Sequence, residues 1–105
     1  HVYALIDSEK KKKDAKLEQR IVDFSKACSD AGIECHVLER RATENYFTDA
    51  AIKKVKGEEY TALSPFKKLS GHRPSWGKRE NWRIAREMKL EDLHDTDLGA
   101  FLDKL

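Results

Sequence analysis

The feature that most constrains this chain is a strand–helix–strand pattern in its first forty residues. Val2-Tyr3-Ala4-Leu5-Ile6 is a continuous apolar run ended by Asp7, with the β-branched and aromatic content of a buried strand. Lys10 to Lys13 form an exposed, charged loop. From about Ala15 to Ala31, Leu17, Ile21, Phe24, Ala27 and Cys28 recur at helical spacing, and Gly32 is the natural stop. Ile33 to Leu38 reads as a second strand. Short joints between such elements make a βαβ unit, whose strands run parallel through a right-handed crossover. Parallel sheets are covered on both faces, so two strands are too few to stand alone. The remainder of the sequence reads as helices and loops. Further strands are therefore expected upstream of His1, and the chain is read as a fragment of a longer protein. An uncovered sheet edge favours self-association, so a homo-oligomer is an expected partner.

The second half predicts short capped helices. Thr48 is an N-cap for a helix over Asp49 to Val55, with Gly57 as its end. Ser64-Pro65 predicts a short helix reaching Leu69. Ser70 to Gly77 is the clearest loop. A helix is expected over about Arg79 to Met88, with Trp82, Ile84, Ala85 and Met88 available for packing. Leu90 to Leu93 is a turn or connector, and Thr96 caps a last helix through Leu98, Phe101, Leu102 and Leu105. The expected organisation is one partial α/β domain over residues 1–105. Residues 1–40 form its βαβ core, with a small parallel sheet, and 41–105 a mainly helical half.

Composition narrows the class. Hydrophobic residues are 39% and charged residues 38%, with a net charge of +2, so a uniformly basic nucleic-acid binder is excluded. The charge is unevenly placed. Phe66 to Arg86 holds seven Lys or Arg and one acid, Glu80, whereas six acids and two lysines follow from Glu87 onward. A local basic tract can meet phosphates even in a near-neutral chain, although such a run is also an ordinary solvated face. No stretch is long and apolar enough to span a membrane, and no signal-peptide pattern opens the chain. Cys28 and Cys35 both fall on apolar periodicities, which suits buried free thiols and a cytoplasmic setting.

Ligands in parallel α/β sheets gather beyond the carboxyl ends of the strands. Asp7 and Glu9 sit there after the first strand, and alternate residues of an extended segment share a side. Two hard oxygen ligands suit Mg²⁺ or Mn²⁺. Taken alone, the pair is more simply a solvated strand end. Glu44 follows the second strand closely enough to approach the same edge, or to pair with Arg40 or Arg41. Tyr46 and Phe47 read as a hydrophobic lid. Trp76, in its glycine-flanked loop, is open to two readings: stacking on a base, or packing on its own domain.

The run Ala4-Leu5-Ile6-Asp7-Ser8-Glu9 resembles the apolar strand and D-x-D motif of TOPRIM domains, with Glu9 in the place of the second aspartate. Leu38-Glu39-Arg40-Arg41-Ala42-Thr43-Glu44-Asn45-Tyr46 resembles the LERR-x-x-ENY stretch of the TOPRIM portions of OLD-family (overcoming lysogenization defect) and related ABC/AAA-type ATPase nucleases. Ile84 to Met88, Leu90 to Leu93, and then Leu98, Phe101 and Leu102 resemble the helical tail of those domains.

The resemblance implies a truncated TOPRIM-like, Rossmann-like fold and metal-dependent phosphodiester cleavage, in proteins that often act in defence against phage. It implies metal ligation by Asp7, Glu9 and Glu44, and catalytic roles for Glu44 and Lys78; without metal, Arg40 or Lys78 is expected to offset the charge of the clustered carboxylates. The family's earlier catalytic glutamate has no counterpart here, so this chain alone is expected to be inactive. The implied cofactor is Mg²⁺ or Mn²⁺, with ATP bound only in the N-terminal region of a larger protein. The expected partner is nucleic acid, with DNA first. Lys67, Lys68, Arg73, Trp76, Lys78, Arg79 and Arg83 are the residues expected to bind it. The alternative is a non-catalytic nucleic-acid-binding or regulatory α/β module. A phospho-receiver or nucleotide-binding domain is weakened by the lack of a glycine-rich phosphate loop after the first strand.

Overall fold

The computed structural model describes residues 1–105. Its sheet has two strands, β1 (Tyr3–Ile6) and β2 (Glu34–Val37), paired in parallel with Tyr3 opposite Glu34 and Ile6 opposite Val37. Helix α1 (Gln19–Asp30) makes the crossover between them. Its end follows the expected chemistry: Gly32 takes φ +77°, and the Ile33 amide donates to the Cys28 carbonyl at 2.8 Å. The helix starts later than its apolar periodicity suggests, with Leu17 in the preceding loop.

The strand period of two assigns each side chain to a face. Ala4, Ile6, Cys35 and Val37 share one face, and α1 brings Cys28 beside Cys35 there. Tyr3, Leu5 and His36 share the other. Helix α4 (Asp97–Asp103) covers that face through Phe101, whose ring centroid lies 5.9 Å from Tyr3 and 5.3 Å from His36. Each strand keeps one unpaired edge. Val2, Leu5, Val22 and Phe24 leave apolar surface uncovered on or near the sheet. Both cysteines are free thiols. Burial, with the Cys28 thiol adding to it, pushes the Cys35 thiol above its ordinary value.

A second core lies in the helical half. Phe47, Ala51, Ile52, Leu63, Leu69, Trp76 and Ile84 form one buried cluster around α2 (Asp49–Lys56) and α3 (Asn81–Ala85). A smaller cluster of Leu38, Tyr46, Leu93 and Leu98 joins it to the sheet. Both expected N-caps form: Thr48 Oγ1 accepts from the Ala51 amide at 3.2 Å, and Thr96 Oγ1 from the Gly99 amide at 3.0 Å.

Two helix expectations fail for tertiary reasons. Ser64-Pro65 opens only a turn, because its carbonyls are claimed elsewhere. Asn45 Nδ2 donates to Ser64 O at 2.9 Å and to Lys67 O at 2.8 Å, and the Arg41 amide donates to Pro65 O at 2.9 Å. The helix expected from Arg79 to Met88 is a 3-10 turn, Lys78–Glu80, followed by the short α3. Trp82, expected to pack, is 62% exposed.

Gly99 is required by close approach. A Cβ at this position would overlap the Leu93 carbonyl. The α4 N-terminus and the 3-10 turn Leu90–Leu93 therefore meet backbone to backbone. Gly99→Ala is expected to destabilise the fold by about 2 kcal/mol through overpacking, read as a lower urea midpoint at unchanged slope.

Candidate functional site

The chain leaves both strands toward one edge, where backbone pairing continues past them. The Leu38 amide donates to Ile6 O at 3.0 Å and the Glu9 amide to Arg41 O at 2.8 Å. Ser8 is 1% exposed and clamps the two segments, its Oγ donating to Arg40 O at 2.7 Å. Glu9 takes φ +58°, a left-handed conformation that turns the chain away after the clamp.

The structure divides the three expected metal ligands. Asp7 Oδ1 accepts from the Thr43 amide at 3.1 Å and from Thr43 Oγ1 at 3.3 Å, so it caps the 3-10 turn Thr43–Tyr46 from across the edge. Glu9 and Glu44 line one cavity of about 310 Å³, together with Arg41, Lys68, Ser75 and Lys78. Asp7 is not among its lining residues. No group of three or more His, Cys, Asp or Glu gathers in a way that holds a metal. The expectation of one preformed three-carboxylate cluster is corrected on this point. Clustered carboxylates repel, and here Asp7 is held by Thr43 and Glu44 by Asn81 and Lys78.

Glu44 is 4% exposed but fully engaged. Its Oε1 accepts from Asn81 Nδ2 at 3.0 Å, and its Oε2 pairs with Lys78 Nζ at 3.4 Å. The counterion is thus Lys78 rather than Arg40 or Arg41. Arg40 instead lies over the Tyr46 ring, 4.7 Å from its centroid, and donates to Asn45 O at 3.0 Å. Tyr46 and Phe47 are buried in the two cores rather than forming an edge lid.

Trp76 is corrected from the expected nucleic-acid-binding set. It is 6% exposed, and its Nε1 donates to Asn81 Oδ1 at 2.8 Å. It touches the cavity wall, but too little of the ring is exposed to stack a base. Its role is to hold Asn81, which holds Glu44. Lys67, Lys68, Arg73, Lys78, Arg79 and Arg83 are all exposed. Lys68 and Lys78 reach the cavity; Lys67, Arg73, Arg79 and Arg83 do not line it.

Sequence reasoning missed Asn81 and Ser8. An asparagine beside a tryptophan in a polar segment gives no sign that it links two buried groups. Ser8 stood inside the acidic motif, read only as the spacer between Asp7 and Glu9. With two acids and three cations on its wall, the cavity suits an anion that arrives with a hard cation. No protein-family model, no curated protein and no solved structure matches this chain.

Proposed function

We propose that the chain is the C-terminal, TOPRIM-like portion of a larger ATPase-linked protein that cleaves phosphodiester bonds of DNA with a divalent metal. The observation that carries this reading is the pairing of Glu44 with Lys78 at 3.4 Å, on the wall of a cavity that also contains Glu9. The resemblance assigns those residues to the later acid, the lysine and the acidic pair, and they lie far apart in sequence.

The donor set suits a hard cation, since the carboxylates of Glu9 and Glu44 and the Ser75 hydroxyl all offer oxygen. Mg²⁺ needs only one or two protein carboxylates beside waters and substrate phosphate. Glu9 and Glu44 would hold it, with Asp7 at the end of the same strand. The metal, when bound, supplies stabilisation of the attacking and leaving oxygens. Lys78 is 61% exposed at its side chain and free to swing from Glu44 to a phosphate oxygen. Lys68 and Arg41 hold flanking phosphates. Asn81, fixed by Trp76, keeps the Glu44 carboxylate in one orientation.

A second reading, a module that binds nucleic acid without cutting it, is favoured by one observation: Asp7 is already engaged by Thr43. The test uses the full-length protein that carries these residues, because the reading puts a further glutamate before them. Supercoiled and linear DNA are incubated with Mg²⁺, Mn²⁺ or chelator. Cleavage is expected only with metal. Lys78→Ala is expected to lower kcat by about 100-fold with KM little changed, as for a group acting on transition-state charge. DNA binding without cleavage under either metal would replace this reading with the second.

A further inference from the structure

Trp82 is the large aromatic that the fold leaves most exposed. Arg86 lies over its ring, 5.2 Å from the centroid, yet the indole remains 62% exposed. It stands in a continuous helical stretch, from the 3-10 turn Lys78–Glu80 through α3. Arg79, Trp82, Arg83 and Arg86 follow the spacing that places side chains on one face of a helix. In a helix packed by that face these positions would be apolar. Here all four are exposed, and three are arginines.

The opposite face makes the connections to the protein. Ile84 is fully buried in the core, and Asn81 donates to Glu44. The acid within the stretch is largely neutralised. Glu80 Oε1 is held by Lys56 at 2.8 Å, and Arg83 reaches the same oxygen only at 3.8 Å. Arg79 and Arg86 pair with no carboxylate.

We propose that Trp82, flanked by Arg79, Arg83 and Arg86, is a stacking platform for an unpaired base of single-stranded nucleic acid entering the Glu44 cavity. Arg79 and Arg86, which pair with no carboxylate, and Arg83, held only at 3.8 Å by Glu80, complement a run of phosphates, and the indole face that Arg86 leaves open complements a nucleobase. A duplex buries its base faces in its own stack, so an indole on a helix surface reaches only an unpaired nucleotide. Trp82 adjoins Asn81 in sequence, and Asn81 contacts Glu44. A strand stacked on the indole runs along the outer face of the segment whose inner face carries Asn81, the residue that holds Glu44. The inference rests on the nucleic-acid reading above and adds its substrate class, a single-stranded or locally opened segment.

The test is a binding measurement without metal, so it is read independently of cleavage. Trp76→Phe leaves Trp82 as the sole tryptophan of the 105-residue chain. Its fluorescence is titrated with a thymidine oligonucleotide, a uridine oligonucleotide, an abasic oligonucleotide of equal length and polyglutamate. Quenching by a base-bearing oligonucleotide is expected, with the abasic strand binding roughly tenfold or more weakly. Trp82→Ala in the parent chain is expected to lower oligonucleotide affinity by a similar factor, measured by anisotropy of a labelled strand. Trp82→Phe should restore most of it. Arg83→Ala should reduce the slope of log affinity against log salt by about 0.7. Because Trp82 is exposed, thermal melts of the Trp82 variants should match the parent. Equal binding of abasic and base-bearing strands overturns the platform, as does polyglutamate binding as tightly as the oligonucleotides. Either result leaves the cleavage proposal standing. Conversely, intact stacking in a protein that never cleaves removes the nuclease reading and keeps this one.

Discussion

Asp97→Ala is expected to cost this fold about 3 kcal/mol, a large share of the total stability of a small domain. The Asp97 side chain is 8% exposed and tethers α4 to three distant groups. Its Oδ1 accepts from the Tyr46 hydroxyl at 2.6 Å. Its Oδ2 accepts from the Glu39 amide at 2.9 Å and meets His36 Nε2 at 2.8 Å. It is also the first residue of α4, where a negative charge faces the positive end of the helix. Alanine removes all of this at once and leaves the Tyr46 hydroxyl and the Glu39 amide in need of acceptors. Asparagine keeps an oxygen for Tyr46 but turns an NH₂ toward the Glu39 N–H, so Asp97→Asn should recover only part of the loss. Urea melts should show a lower midpoint at constant slope for both variants. Melting of Asp97→Ala at the parent midpoint would show that the clasp carries no stability.

The same clasp sets the pH limits of the fold. Burial pushes the Asp97 carboxyl upward, but the hydrogen bonds from Tyr46, the Glu39 amide and His36 outweigh it and hold the carboxyl below its ordinary value. A group depressed in the folded state stabilises fully above its unfolded pKa of about 3.9, and this contribution is lost as pH falls through the lower folded value. For Tyr46, burial and the hydrogen bond to Asp97 push the phenol far above its ordinary value. That contribution is complete below the unfolded pKa of about 10 and is lost as pH rises toward the folded value. Stability should therefore fall at both ends, below about pH 4 and above about pH 10, and Asp97→Ala should flatten both arms.

The βαβ pattern was legible because it is local. The apolar run of β1, the helical periodicity ending at Gly32 and the parallel pairing all follow from nearest-neighbour chemistry, and the structure has them. The same holds for the caps Thr48 and Thr96. What failed was decided by partners far along the chain. Ser64-Pro65 looked like a helix start, but its segment offers its carbonyls to Asn45. Trp76 and Trp82 exchanged their expected places, and a single sequence does not show which of two nearby indoles the core will take. The loop tryptophan found a buried partner in Asn81, whereas the helical one was left over a short segment whose inward face is filled by Ile84. Asp97 drew no assignment from the sequence, since nothing near it reveals His36, Glu39 and Tyr46 as partners. At the candidate site, Glu44 and Lys78 were each identified, with Lys78 or Arg40 expected to offset the carboxylates, and the structure sets Lys78 against Glu44. Asp7 was assigned to a metal when its nearest task is to cap the turn that carries Glu44.

Glu44→Gln separates structure from chemistry at that site. Glutamine is nearly isosteric and keeps an oxygen for Asn81 Nδ2, which lies 3.0 Å from the present carboxylate. What it loses is the charge facing Lys78, whose side chain is 61% exposed and rehydrates readily. The stability change should therefore stay within about 1 kcal/mol, the range of a solvent-screened ion pair. Glu44→Ala also strips Asn81 of its acceptor, and should cost about 1–3 kcal/mol. Cleavage should respond differently. If Glu44 is a metal ligand, the glutamine variant of the full-length protein should lose more than roughly 100-fold in metal-dependent cleavage, beyond the range for groups that merely orient ligands. Added Mn²⁺ should shift the metal titration of the glutamine variant to higher concentration than the parent requires. The double variant Glu44→Gln/Lys78→Ala completes the argument. Two residues that act on one transition state are grossly non-additive in rate, and two residues of one ion pair also share a small coupling energy in stability. A double variant no slower than Glu44→Gln alone, with a melting loss smaller than the sum of the two single losses by the energy of the shared pair, is the expected pattern. Full metal-dependent turnover in Glu44→Gln would make Glu44 a structural acid and Lys78 its counterion, with the catalytic centre elsewhere in the protein.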